Sequence, residues 1–212
     1  MFRKIPIALL LGTSLLVQAQ EQKQELKIKN HHGGLVSLGM RTTISTFNHG
    51  NWQDVGLGIG GQARVQIHDR INTEWFADYL TSEIGNTGHR TDAHIGWSVM
   101  YYPLRDRTFK KLMKPYLIMG HCFDYSKVSE NADPSNSMDR WSAAIQCGAG
   151  NHFNLTEHFD LTVIAQYMFH LGNHIEAHEE EGQFQIHEHG GLSLEGHLLF
   201  TIGINYKIAD LW

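Results

Sequence analysis

The residues best suited to chemistry lie in one stretch near the C-terminus. Positions 172–191 carry His174, His178, His187 and His189, interleaved with Glu176, Glu179, Glu180, Glu181 and Glu188. Imidazole and carboxylate donors together suit zinc, nickel or copper. His174 and His178 would share a face if that portion formed a helical turn. The two-residue spacing of His187 and His189 around Ile186 fits a strand instead. These four histidines are the candidate metal ligands and zinc is the candidate ion. The competing reading is a solvated or self-paired loop, in which acidic neighbours favour protonated imidazole and make the surface responsive to pH.

Elsewhere the reactive residue types are sparse. Ser142, Ser193 and Thr201 have no triad that spacing can demonstrate. Gly56, Gly58 and Gly60 recur every second residue, but no helix and Lys follow them as a phosphate loop would require. They make room for long side chains on one face of a strand. Cys122 and Cys147 form no CxxC motif.

The elements that must position these residues follow from composition and alternation. Of 212 residues, 42% are hydrophobic and only 18% charged, which excludes a disordered or nucleic-acid-binding tail. Arg3 and Lys4, an apolar run from Ile5 to Val17 and small residues before Ala19 form an export signal with cleavage after residue 19. Removing that segment leaves 15 basic against 22 acidic residues, a charge near −7 that repels phosphate backbones. No other apolar run is long enough for a membrane helix.

The remainder alternates. Leu192, Leu194, Gly196, Leu198, Phe200, Ile202, Ile204, Tyr206 and Ile208 share one phase. Ser193, Glu195, His197, Thr201, Asn205 and Lys207 share the other, with Leu199 out of place. A helix would scatter these sets, whereas a strand separates them. Similar alternation through 55–68, 71–79, 92–101 and 159–171, and weaker alternation through 36–45, 115–127 and 140–152, gives eight strands in all. Many reach ten residues, the length needed to cross hydrocarbon at a tilt. The connections 48–54, 82–90, 128–139 and 172–191 are long, and those at 68–70 and 154–157 are tight, with 104–114 as an exception. Long outer loops and short periplasmic turns follow that pattern.

Strands in lipid must close, because unpaired edge groups would each cost several kcal/mol there. The greasy phase then faces lipid, and Arg64, Glu74, Asp78, His94, Gln166, Glu195 and Lys207 fill the interior as paired charges. Trp75, Trp97, Trp141, Tyr101, Tyr116 and Tyr167 are candidates for the interfacial aromatic belts. Cys147 belongs to the outward phase and Cys122 to the inward one, so the two thiols stay free.

The stretch from Gly148 through His152, Asn154 and Phe159 to Leu161 looks like a glycine-bearing strand, a tight turn and an aromatic-Asp-Leu restart. Ile202 to Ile208 looks like a closing strand, with Tyr206 or Trp212 as the terminal aromatic. On these features the chain resembles the small outer-membrane β-barrels of Gram-negative bacteria, the group that includes the membrane domain of outer-membrane protein A. That resemblance implies insertion by the barrel insertion machinery. His152-Phe153-Asn154 is similar to the His-x-Ser element of the lipid A deacylases, but Asn154 stands where a nucleophilic hydroxyl is needed.

The resulting expectation is an all-β, eight-stranded antiparallel up-and-down transmembrane β-barrel. Residues 1–19 are a signal peptide, and 20–212 form the barrel with a short periplasmic segment at 20–30. It should be an outer-membrane monomer with a closed polar interior, a structural or surface-interaction role and no enzymatic activity or cofactor. Its partners would be outer-membrane lipids and an extracellular ligand or envelope protein, with no nucleic acid. Basic residues Arg105, Arg107, Lys110, Lys111 and Lys114 would sit near anionic headgroups. Alternatives are a lipid-modifying acyl hydrolase or transferase, divalent-metal binding through 172–191, and a soluble barrel holding a lipid inside.

Overall fold

The computed structural model describes residues 33–47, 55–104, 111–172, 174–180, 183–189 and 196–211. The export signal, the segment at 20–30, Arg105, Arg107, Lys110, Ser193, Glu195 and Trp212 lie outside those residues. Ten strands are present among them: β1 (Leu35–Phe47), β2 (Gly56–His68), β3 (Ile71–Ile84), β4 (Gly88–Tyr101), β5 (Met113–Glu130), β6 (Ser137–Asn154), β7 (Phe159–Leu171), β8 (His174–Glu180), β9 (Gln183–His189) and β10 (Gly196–Asp210). Eight of them close a barrel in the order β1-β2-β3-β4-β5-β6-β7-β10, while β8 and β9 form a separate hairpin. All neighbours are antiparallel. Closure comes from β1 on β10, whose register runs from Leu35 opposite Asp210 to Phe47 opposite His197 with one shift at Val36/Ser37.

The alternation read from the sequence separates lipid from lumen. Phe200, Ile202, Ile204, Tyr206 and Ile208 are exposed on the outer wall, whereas Thr201, Asn205 and Lys207 are buried. The same split runs through β3, where Trp75 and Tyr79 are exposed while Glu74 and Asp78 are buried. This outward band makes the barrel transmembrane and excludes the soluble, lipid-filled alternative, which needs the apolar phase inside. Cys122 is buried and Cys147 exposed, both as free thiols.

Four expectations change. The stretches 82–90 and 128–139 are mostly strand: β3 and β4 continue to a short turn at 85–87, where Gly85 takes φ 55°, and β5 and β6 continue to 131–136. At that second tip Ser135 donates from its backbone and hydroxyl to Asp133, holding the exposed carboxyl below its ordinary range. The stretch 172–191 is largely the β8–β9 hairpin. Tyr116 does not join an outer belt, because it shares the phase of Ile118 and Cys122 and is buried inside. Finally, the lumen is not uniformly polar. Phe76, Leu80, Cys122, Ala144, Met168 and Leu199 form one interior apolar cluster, and Met100, Tyr102, Tyr116, Ile118 and Ile164 form another. Leu199, out of place in the sequence pattern, belongs to the first of these.

The wall assignment predicts that Ile202→Arg, which puts a charge on the lipid face of mid-β10, destabilises the barrel by about 2–4 kcal/mol. Urea titration of refolding into phosphatidylcholine vesicles, followed by heat-modifiable gel migration, measures the loss.

Candidate functional site

The lumen is organised in layers. Near its middle, Arg41 of β1 donates from Nε to Asp78 Oδ1 at 2.7 Å and from Nη1 to Glu74 Oε1 at 3.2 Å, with a further contact from Nη2 to Asp78 Oδ2. Its guanidinium lies 4.3 Å from the centre of the Phe76 ring. Gly60 on β2 explains how the acid fits, since a Cβ there would come within 2.0 Å of Asp78 Oδ1. The repeated glycines of β2 therefore vacate space for a buried ion pair. One cation between two acids is stable without water only when its hydrogen bonds are satisfied in this way.

Toward the end that carries the β2–β3 and β6–β7 turns, Arg64 Nη2 reaches both carboxylate oxygens of Asp160 at 2.7 Å. Asn205 Nδ2 donates to the same carboxylate at 3.0 Å. His152 stands beside this pair, with Nδ1 2.6 Å from Thr162 Oγ1 and Nε2 2.9 Å from the Tyr102 hydroxyl. Its ring stacks 4.4 Å from that of Tyr116. His152 thus faces the lumen and cannot meet a lipid at the outer rim. Asn154 of the same motif donates to the Lys111 carbonyl at 2.8 Å and accepts from Lys207 at 3.4 Å. The similarity to a deacylase element ends in structural contacts.

Toward the end that carries the β3–β4 and β5–β6 turns lies a cluster that sequence reasoning missed. Asp124 on β5 sits 3.1 Å from His94 Nε2 and 3.0 Å from His170 Nδ1, and accepts from Ser142 Oγ at 3.1 Å. His170 Nε2 meets His197 Nε2, whose Nδ1 lies 2.9 Å from Ser45 Oγ. Beside it, Arg90 donates to Asp92 at 2.7 Å and to Ser126 at 2.9 Å. Each of these residues belongs to the inward phase of its strand. Their meeting depends on inter-strand register, such as His94 opposite Asp124, which no single strand's pattern contains. Of the sequence's hydroxyl candidates, Ser142 therefore binds Asp124, and Thr201 pairs with Thr43 at 3.0 Å. Among the described side chains no three donors are arranged to hold a metal ion.

The hairpin closes the stack. Ile175, Ala177 and Phe184 pack with Ile84 and Val128, joined by Met138 and Ile186. Asn136 Nδ2 donates to the Phe184 carbonyl at 3.3 Å. The Phe184 ring fills the room left by Gly88, where a Cβ would approach it to 2.4 Å. Of the four candidate ligands, His174 lies opposite His189 in register, His187 opposite Glu176, and His178 opposite Gln185. The helical-turn pairing of His174 with His178 is replaced by strand geometry. His187 is exposed, with Nε2 3.1 Å from Gln185 Oε1. The side chains of His174, Glu176, His178 and His189 lie outside the described residues.

No protein-family model matches the chain, and no curated protein does. Solved structures do match. Neisserial surface protein A is 15% identical with a TM-score of 0.54, covering 82% of this chain and 96% of its own. A major outer membrane protein from Thermus thermophilus is 9% identical with a TM-score of 0.55, covering 82% and 99%. The chain has the fold of the small outer-membrane β-barrels. The outer membrane protein AlkL, solved in lipid bilayers, matches at 12% identity and a TM-score of 0.50 over 89% of this chain and 96% of its own. Combined with the lipid-facing band, this fold is that of a membrane-spanning barrel.

Replacing Arg41 by Ala strands Glu74 and Asp78 in the lumen and should cost about 3–5 kcal/mol. Adding Glu74→Gln and Asp78→Asn should restore most of that loss, measured by urea unfolding of the vesicle-embedded barrel.

Proposed function

We propose that this protein is a sealed, non-enzymatic barrel that acts through what its outer hairpins present. The observation that carries this reading is the filled lumen. Polar layers sit at three heights, ion pairs centred on Asp160 and Arg41 and a histidine–carboxylate cluster at Asp124, with apolar clusters between them and the β8–β9 hairpin seated above. Side chains at these three heights narrow the interior, and eight-stranded barrels are narrow enough for side chains to fill. Function then moves to the β3–β4, β5–β6 and β8–β9 tips, where a rigid scaffold holds polar residues. Outer-membrane lipids surround the wall, the barrel insertion machinery delivers it, and the partner at the tips is an extracellular ligand or an envelope protein met by a monomer.

The inward-facing His152 and the missing hydroxyl at Asn154 argue against acyl transfer at the rim. Purified protein in planar bilayers should show no stepwise conductance, and radiolabelled lipid A incubated with it should keep its acyl chains. Regular channel openings would overturn the sealed lumen, and acyl release above that of heat-denatured protein would overturn the non-enzymatic role.

A further inference from the structure

We propose that the β8–β9 hairpin carries a divalent transition-metal site made by His174, Glu176, His187 and His189. The site goes beyond the sealed-barrel reading and does not depend on it, since metal uptake and conductance are separate measurements.

His174 lies opposite His189, and Glu176 lies opposite His187. Directly opposed residues in an antiparallel pair stand about 4.5–5.5 Å apart, and alternate residues along a strand about 6.5–7 Å apart. Four donor-bearing positions therefore mark the corners of one small rectangle on the hairpin. A metal over its centre needs donor atoms at about 2.0–2.2 Å, within the span of imidazole and carboxylate side chains from those corners.

The hairpin's other face supports the assignment. Ile175, Ala177 and Phe184 are buried in the cluster that seats the hairpin on the barrel, and Ile186 packs against it. The four donor positions alternate with these residues along β8 and β9 and so fall on the opposite face. His187, on that face, is exposed.

Three imidazoles and one carboxylate form a donor set for zinc, nickel or copper(II), and a poor one for calcium or magnesium, which prefer oxygen. His178 stands one row farther along, opposite Gln185, and is peripheral to the rectangle. This differs from the helical-turn reading, in which His174 and His178 would be the indispensable pair.

Zinc chloride titrated into the full-length, detergent-refolded protein by calorimetry tests the site, with heat-modifiable migration checking that every variant is folded. The double variant His187→Gln/His189→Gln should weaken binding by about a hundredfold or more, and Glu176→Gln by roughly tenfold. His178→Gln should stay within about threefold of wild type, and the periplasmic-side control His68→Gln should be unchanged. Cobalt-loaded wild type should show the visible absorption of tetrahedral coordination, and the double variant should lose it. Absence of saturable zinc uptake, equal damage from His178→Gln and the double variant, or losses that simply follow the number of histidines removed would each overturn the proposal.

Discussion

Inside hydrocarbon a backbone amide or carbonyl without a partner has no water to turn to, and each such group carries a penalty of several kcal/mol. The pairing of β1 with β10 removes the last free edge of the sheet. The rest of the architecture follows from that closure. Each strand must be long enough to cross at a tilt, must place its apolar phase outward, and must hand its other phase to an interior only a few side chains wide.

A narrow interior makes every inward residue a packing decision. Charges there need partners, which is why Arg41 is held by two acids and Arg64 by a bidentate contact to Asp160. Between these layers the tube is filled as the core of a soluble protein is, by residues such as Phe76, Met168, Met100 and Ile164. The small residues are as necessary as the large ones. At Gly60 the missing Cβ is the space that Asp78 occupies, and at Gly88 it is the space that the Phe184 ring occupies.

Much of this was legible because alternation with period two is a local property. Lipid-facing and lumen-facing sets, the free state of Cys122 and Cys147, and the inward direction of Glu74, Asp78, His94 and Lys207 all follow from counting along single strands. Two kinds of information were not local. Register joins residues far apart in sequence, so the meeting of His94, Asp124, His170 and His197 could not be seen from any one strand. Where strands outlast the bilayer, polar and glycine-rich composition resembled loops at 82–90, 128–139 and 172–191, although backbone pairing continues there. In the last case the alternation of Phe184 and Ile186 was the available signal, weakened by the charged residues between and around it.

Strands β5 and β6 are each 18 residues long. At roughly 3.4 Å per residue and a tilt near 40°, such a ribbon spans about 45 Å along the membrane normal, against an apolar belt of about 25 Å. Pairing of β6 with β7 ends at Ala143 opposite Leu171, whereas its pairing with β5 continues to Ser137 opposite Ser129, so part of that length stands past β7 as a stiff ridge. Anything docking there would grip a preformed, ladder-braced edge rather than a floppy tether, and would lose little entropy in doing so.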